Sequence, residues 1–466
     1  MYKKEHIHFV GVAGIGMSAI AHILLNLGYT VSGSDLKESN ITNSLSNLGG
    51  CIYKGHAPEN VIGADVVVYS SAIKETNVEI EASKLVNIPV IPRAEMLAGL
   101  MNLKKFSIAV AGTHGKTSTT SMTASVLKEG GMDPTVIIGG EVKALGSNAY
   151  WGNGDFMVAE ADESDGSFLR LSPSISIVTN IDSEHMDFYK SSQALRESFK
   201  EFLRKVPFYG LTIVCGDDPV IQEIKSEING RIMTYGTGES NDIRAHDIVF
   251  DGLSSYYTVS CYEEELGKVH LNVPGLHHVR NSLAALAAGI EIGIPFPSIV
   301  KGLELYQGVK RRFEVKGETG GVVVVDDYAH HPTEIKATIQ AARNCWKNKR
   351  IVALFEPHRY TRTRDFMDDF AEAFKGVDEL WITEIYPASE EPIVGVSGER
   401  LGILIMEKSD IPVHYVSKCF DLPEAVAPWL MPGDVALAMG AGNIGKISED
   451  LLKTLEEKME KKVLAC

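Results

Sequence analysis

One stretch, 106–120 (FSIAVAGTHGKTSTT), constrains this chain more than any other. The apolar run 106–110 predicts a buried strand, Gly112-Thr113-His114-Gly115-Lys116-Thr117 a tight polar loop, and 118–128, opening at Ser118, a helix. Strand, glycine-rich loop and helix N-terminus in that order form a polyphosphate cradle. The glycines let backbone N–H groups turn inward, and the helix start presents its positive end. Lys116 reaches the β- and γ-phosphates, while Thr117 offers a hydroxyl to Mg²⁺. The spacing departs from G-x-x-x-x-G-K-[ST], because Val110 stands where the first glycine belongs and the glycine follows two residues later at Gly112. The order of elements still favours an ATP site over a glycine-rich turn with an exposed lysine.

A chain of 466 residues exceeds what one core usually organises, and three domains are expected. The net charge of −16 argues against a nucleic-acid partner but leaves room for a local basic cleft. No apolar run approaches the roughly 20 residues that span a bilayer. The first residues, MYKKEHIHFVG, run straight into a glycine loop rather than a signal-peptide pattern, so a cytoplasmic protein without membrane insertion is expected. Six cysteines (51, 215, 261, 345, 419, 466) lack CxxC spacing and read as reduced, mostly structural thiols. Monomer and homodimer both stay open.

Residues 1–101 read as a dinucleotide-type domain. A strand at 7–10 leads into Gly11-Val12-Ala13-Gly14-Ile15-Gly16-Met17-Ser18-Ala19 and a helix, and a second strand at 30–33 ends at Asp35, the interval of a ribose-binding carboxylate. Taken alone this fits NAD; the same loop also fits another diphosphate, such as that of a nucleotide sugar. Strand ends at 70–73 and 93 make Ser70, Ser71 and Arg93 further candidates, against ordinary turn roles.

In the central part, 102–312, strands at 135–138, 156–159 and 175–179 continue the series. The acidic cluster after the second, from Glu160 to Asp165, reads as a metal-holding edge rather than a solvated loop. His185, after the third, is a ligand, a phosphate contact or a loop residue. Residues 211–275 hold shorter β-like segments that resemble antiparallel additions more than βα units. His277, His278 and Asn281 open an alanine-rich helix, where they cap it or hold an adenine; Lys310-Arg311-Arg312 is surface charge or a phosphate clamp.

Residues 313–466 begin a third βα series. The Val run 322–325 marks a strand buried on both faces and ends in Asp326-Asp327-Tyr328-Ala329-His330-His331. The strand 351–355 ends in Glu356-Pro357-His358-Arg359-Tyr360-Thr361-Arg362, a set suited to carboxylate or phosphate recognition. The glycines of 440–445 (GAGNIG) make either a second phosphate loop or a tight packing turn, and 447–463 reads as an amphipathic surface helix.

Together these blocks resemble the Mur ligase family of peptidoglycan synthesis. FVGVAGIGMSAIA, AGTHGKTSTT, AEADESDGSFL, TNIDSEHMD, VPGLHHVRNSLAA, GVKRRFE, DDYAHHPTE, PHRYTRTRDF and GAGNIG occur in the family's order. The resemblance implies an α/β protein of three domains: an N-terminal Rossmann-like domain for a UDP-sugar, a central P-loop ATPase domain with a mainly parallel sheet plus a small antiparallel part, and a C-terminal Rossmann-like domain for the amino acid. It implies ATP-dependent ligation of L-alanine to UDP-N-acetylmuramate with Mg²⁺.

The same resemblance assigns roles. Gly14, Ile15, Gly16, Met17 and Ser18, with Asp35, Ser70, Ser71 and Arg93, face the UDP-sugar, and NAD drops away. Gly112 through Ser118 hold ATP, with Lys116 on the γ-phosphate. Thr117 and Glu160 hold one Mg²⁺, and His185 helps hold a second. His278 and Asn281 lie at the adenine, and Arg312 near the phosphates. Tyr328, His330, His358, Arg359 and Arg362 look toward the amino acid and the acyl phosphate. The chain departs from the usual family pattern at His278, where Asn is common, and at Glu356, where Gln is. Where other branches carry a carbamylated lysine, Phe199 stands beside Lys200, and no such modification is expected.

Overall fold

The computed structural model describes residues 5–142 and 147–464; Cys466 lies outside them. Contacts divide the chain into two units, each treated in its own right. The first comprises Met1–Asp247, Tyr257–His270 and Val279–Gln307, the second Ile248–Tyr256, Leu271–His278 and Gly308–Cys466. Three α/β sheets carry the fold.

The first sheet runs Cys51–Lys54, Thr30–Asp35, His6–Val10, Val66–Tyr69, Val90–Pro92, parallel throughout. The chain winds outward from His6–Val10 on one side and then on the other, so the crevice at the end of that strand is the switch point where such sheets bind ligands. The edge strand Cys51–Lys54 carries no buried residue, which is why it leaves no apolar mark in the sequence.

Beneath this sheet lies a polar core. Glu79, on the helix Val78–Leu85, accepts hydrogen bonds from Ser34 Oγ (2.5 Å), Asn60 Nδ2 (2.5 Å) and Ala57 N (3.3 Å), with His8 Nε2 at 3.6 Å. Burial works against its charge, but the nearby His8 imidazole and the bonds from Ser34 and Asn60 outweigh it and hold the carboxyl down at about 2.

A ten-stranded sheet runs Glu264–Leu271, Ser254–Cys261, Ile243–Asp251, Ile232–Gly236, Leu211–Cys215, Ile175–Val178, Phe106–Ala111, Phe156–Glu160, Thr135–Val142, Ser147–Tyr150. The pairs from Ile243–Asp251 through Thr135–Val142 are parallel; Ser147–Tyr150 is antiparallel. This corrects the sequence reading of 211–275: Leu211–Cys215 and Ile232–Gly236 are parallel members. Their connecting helix, Pro219–Ile224, has only 6 residues, too few to show a helical period.

In the second unit a six-stranded sheet runs Glu314–Thr319, Val322–Asp327, Val435–Met439, Ile351–Phe355, Glu379–Thr383, Val413–Val416, with only the Glu314–Thr319 edge antiparallel. The Val run is buried on both faces as expected: Val323 and Val325 pack with Ile335 and Phe370 in one apolar layer, Val322 and Val324 with Ile447 and Leu451 in the other. Among the described residues no helix is long and apolar enough to cross a membrane, and Cys51, Cys215, Cys261, Cys345 and Cys419 are free thiols.

Candidate functional site

The phosphate loop follows the strand Phe106–Ala111 and opens the helix Lys116–Glu129. Its shape is imposed from the neighbouring strand end. Thr113 N donates to Asn180 O (3.1 Å), His114 N to Asn180 Oδ1 (2.8 Å), Thr179 Oγ1 to His114 O (2.6 Å) and Asp182 N to Thr113 Oγ1 (2.9 Å). His114 Nε2 lies 3.2 Å from Asp182 Oδ2. The glycines answer to this stitching. A Cβ on Gly112 (φ +127°) would stand 2.1 Å from Thr179 Oγ1, and one on Gly115 (φ +84°) 2.7 Å from Asn281 Oδ1. Asn281 therefore lies against the loop.

Lys116 Nζ donates to Gly112 O (2.6 Å), Thr113 O (3.1 Å) and Glu163 Oε1 (2.8 Å). Glu163 is 1% exposed, and its Oε2 has no hydrogen-bond partner among the described residues. Burial pushes this carboxyl up to about 7 even with Lys116 beside it; Lys116 stays charged because the attraction of Glu163 and Asp162 exceeds the cost of its own burial. His185 Nε2 lies 4.0 Å from Glu163 Oε1 and 3.9 Å from Glu184 Oε2, on a backbone held at φ +59°. Glu160 pairs with Val110 beside the loop and accepts from Gly139 N (2.7 Å). Thr117 and Ser118 form the first helical turn, Ser118 buried. Hydroxyl and carboxylate oxygens of this kind suit a hard divalent cation, and the unpartnered Glu163 Oε2 adds another; the imidazole of His185 is a softer ligand. Phe199 is buried against Phe168, and Lys200 Nζ is held by Glu197 (2.6 Å) and Glu227 (2.8 Å).

The N-terminal glycine loop belongs to the same unit. A Cβ on Gly16 would meet Arg93 NH1 at 3.0 Å, and Arg93 NH2 donates to Asp162 Oδ2 at 3.2 Å, so one guanidinium joins this loop to the acidic segment beside the phosphate loop. Asn148 Nδ2 donates to Ile15 O (2.7 Å). Asp35 Oδ2 accepts from Ala13 N (3.0 Å) and braces the loop from below. Met17 is 1% exposed and Ser18 Oγ donates to Ile15 O, while Ser18 N donates to Gly14 O (2.9 Å), so both side chains serve the fold. Gly14 caps the helix Ile15–Asn26, whose Ile15 side chain is exposed. Ser70 lies at the end of Val66–Tyr69, its N donating to Val10 O (3.4 Å), with Ser71 exposed beside it.

In the second unit, Arg311 and Arg312 place their guanidinium carbons 5.0 and 5.2 Å from the Tyr328 ring. Tyr328 meets the His330 ring edge-on at 5.3 Å, His330 lies 5.8 Å from His358, and His358 stacks on Tyr386 at 5.5 Å and 7°. His330 Nδ1 is 2.8 Å from Tyr328 O, and Arg362 NH1 is 3.0 Å from His358 Nδ1. Glu334 accepts from His330 N (3.1 Å) and lies 3.4 Å from Arg312 NH1. Arg359 carries φ +69°, and its buried Nε has no hydrogen-bond partner among the described residues. Buried Asp327, pushed up to about 6 by desolvation, accepts from Ala329 N and Phe313 N and shapes the turn that presents Tyr328 and His330. His278 Nδ1 is bonded to Pro274 O (2.7 Å); at 2% exposure, burial pushes it down to about 4 and keeps it neutral.

The 440–445 turn resolves to packing rather than a phosphate loop. A Cβ on Gly442 would meet Glu356 Oε2 at 2.5 Å and one on Gly445 Arg311 Cζ at 2.3 Å, so the protein's own side chains fill the cradle. Glu356 Oε2 accepts from Ile444 N (2.9 Å) at the start of the helix Ile444–Leu464, a use for the carboxylate that stands in place of Gln.

Sequence reasoning did not single out Thr179, Asp182, Asn148 or Tyr386. The first two sit at the end of Ile175–Val178, where the strand-end rule that marked Arg93 and His358 points equally well. It quoted Glu163 without distinguishing it from its acidic neighbours.

Three family descriptions match the chain: "Mur ligase family, catalytic domain" over residues 6–105, "Mur ligase middle domain" over 110–289 and "Mur ligase, glutamate ligase domain" over 311–442. The UDP-N-acetylmuramate--L-alanine ligase of Desulfosudis oleivorans is 53% identical over 457 residues, covering 98% of this chain and 100% of that protein. The ligase of the same name from Geobacter sulfurreducens is 50% identical, covering 98% and 99%. Among solved structures, a UDP-N-acetylmuramate-alanine ligase from Thermotoga maritima superposes with a TM-score of 0.83 at 29% identity, covering 97% of this chain and 99% of that one. A murein peptide ligase from Psychrobacter arcticus gives 0.70 at 26%, with the same coverage. A MurF ligase from Thermotoga maritima in complex with ADP shares the fold, with a TM-score of 0.63 at 18% identity, covering 93% and 96%. Matched over most of its length by these descriptions and half identical to full-length relatives, the chain belongs to the Mur ligase family.

Proposed function

We propose that the protein is an ATP-dependent ligase that joins L-alanine to the lactyl carboxylate of UDP-N-acetylmuramate, releasing ADP and phosphate, in the cytoplasmic synthesis of a peptidoglycan precursor. The observation that carries this reading is the bridge from Gly16 through Arg93 to Asp162, which ties a diphosphate-type loop to a phosphate loop within one unit. The three parts divide at about residues 101 and 312: UDP-sugar, ATP and amino acid in that order.

A carboxylate is a poor acylating agent, so the γ-phosphoryl group of ATP passes first to the lactyl carboxylate, giving an acyl phosphate and ADP. Two anions must approach each other for this. Lys116 brings one fixed positive charge to the transferring group. Thr117 and Glu160 would hold one Mg²⁺ and His185 a second, and bound Mg²⁺ supplies charge neutralisation at the phosphates. Asn281 and His278 serve the adenine, and Arg312 the phosphates. Arg359 or Arg362 pairs with the alanine carboxylate. The neutral amine then attacks the acyl carbon, and the tetrahedral intermediate collapses to amide and phosphate.

Purified protein with Mg-ATP, UDP-N-acetylmuramate and each amino acid in turn should release phosphate with L-alanine and yield UDP-N-acetylmuramoyl-L-alanine by mass. No alanine-dependent phosphate would sink the reading; phosphate released only with a preformed peptide would transfer it to that substrate. Oxygen-18 in the sugar carboxylate should appear in the phosphate. Chelation should abolish turnover, and added Mg²⁺ should restore it.

A further inference from the structure

We infer that His330 is the base that takes the proton from the alanine amine, and that His358 is a hydrogen-bond donor to the reacting acyl group. The inference rests on the ligase reading above, which names no base for the amine. It comes from what their hydrogen-bond partners can do. A backbone carbonyl only accepts, so Tyr328 O, 2.8 Å from His330 Nδ1, requires the N–H on Nδ1 and puts the lone pair of the neutral ring on Nε2. A guanidinium only donates, so Arg362 NH1, 3.0 Å from His358 Nδ1, requires the lone pair there and puts the N–H of that neutral ring on Nε2. Two histidines 5.8 Å apart therefore present opposite chemistry through the same ring atom.

The surroundings agree with this division. Glu334 Oε2 lies 3.5 Å from His330 Nδ1, the carboxylate-behind-imidazole arrangement that orients a base. His358 is fixed between Arg362 and the Tyr386 ring, which holds a donor in place. Titratable and charged groups facing His330 include Glu334 on the helix that follows it, Tyr328 on its own turn, and His358 after the strand Ile351–Phe355, with Arg312 beyond Glu334 and Arg362 beyond His358.

In the step itself, His330 Nε2 takes one proton from the alanine ammonium. The freed nitrogen pair forms the N–C bond at the acyl carbon while the carbonyl pair moves to oxygen, which accepts from His358 Nε2–H. The pair returns, the C–O bond to phosphate breaks, and phosphate leaves with that electron pair. The second N–H proton leaves with the phosphate, and the proton on His330 passes to solvent.

The test uses the full-length protein, Mg-ATP and UDP-N-acetylmuramate with two nucleophiles: L-alanine, protonated near pH 7, and hydroxylamine, already neutral there. His330→Gln should lower alanine-dependent turnover by roughly 10²- to 10⁴-fold. It should shift the acid limb of kcat/KM for L-alanine up from the imidazole's range to that of the free amino acid's own ammonium, and leave hydroxylamine-dependent phosphate release within about tenfold of normal. His358→Gln should lower both reactions together and keep the limb. Imidazole added to His330→Ala should restore part of the alanine reaction, which separates lost chemistry from lost fold. An acid limb left at its original position in His330→Gln, equal loss of both nucleophiles without imidazole rescue, or the reverse pattern at His358 would each overturn the inference while the ligase reading stands. Failure of the unmodified protein to use L-alanine would overturn both.

Discussion

Replacing Lys116 by Met should damage turnover at every pH and stability only at high pH. Its ammonium is the nearest fixed cation to Glu163, 2.8 Å away, and the loop carbonyls of Gly112 and Thr113 hold it in place. Loss of that charge from a phosphoryl-transfer site should cost roughly 10³-fold or more in kcat, about 4 kcal/mol of barrier. The stability effect follows from Glu163. Its carboxyl is pushed up to about 7 by burial with Lys116 pulling the other way, against an ordinary value of 4.5, so removing the lysine raises it further. A raised carboxyl binds more protons folded than unfolded, and stability falls as pH rises. Below 4.5 the group is protonated in both states and contributes no difference. Near pH 7 the native carboxyl is already half protonated, and the substitution costs little by this route. Above pH 7 the native protein can hold the ionised carboxylate against Lys116 and the variant cannot, a difference of about 1.4 kcal/mol per pH unit until the new value is reached. Urea midpoints from pH 6 to 9 read this directly, beside a phosphate-release assay. Lys116→Met combined with Glu163→Gln should recover the high-pH stability and none of the activity. A single variant with turnover within tenfold of normal, or a double variant that still loses stability with pH, would refute the reasoning.

Glu79, held at about 2, stabilises the first unit above its ordinary 4.5; that contribution, about 3 kcal/mol, should be lost as pH falls from 4.5 toward 2. Glu79→Gln should flatten this part of the denaturation profile relative to the unmodified protein. Gly112→Ala should destabilise by roughly 3 kcal/mol, from left-handed backbone strain and a Cβ 2.9 Å from Thr179 N; an unchanged denaturation midpoint would remove the close approach as the reason for glycine. Arg93→Ala should raise KM for UDP-N-acetylmuramate about tenfold with a smaller change in kcat, measured by initial rates; a change confined to the alanine KM would dismiss the bridge to Asp162.

The βα units were legible because strands buried on both faces are written as unbroken apolar runs: Phe106–Ala111, Ile175–Val178 and Val322–Asp327 all stand out, as do the polar residues that follow them. Where the chain lacks such a run, the signal fails. Cys51–Lys54 is an edge strand facing solvent, and the 6-residue helix Pro219–Ile224 hides the parallel relation of its flanking strands. The phosphate loop could be named from Gly112 to Thr117, but not its stitching to Thr179–Asp182, since hydrogen bonds across 65 to 69 residues leave no local pattern. Likewise the glycines at 442 and 445 fit a cradle until Glu356 and Arg311 are seen to fill it.

That stitching bears on the order in which the chain acquires its parts during synthesis. The first sheet is complete once Val90–Pro92 has emerged, and its strands can pair while the ribosome is still working. The phosphate loop cannot follow so promptly. Its strand is flanked by Phe156–Glu160 and Ile175–Val178, and the bond from Asp182 N to Thr113 Oγ1 spans 69 residues. A nascent chain halted between Lys116 and Asp182 would display the whole Gly-Thr-His-Gly-Lys-Thr motif with nothing to hold it in shape. Nucleotide capture is thus delayed until the segment that supplies the mould has left the tunnel.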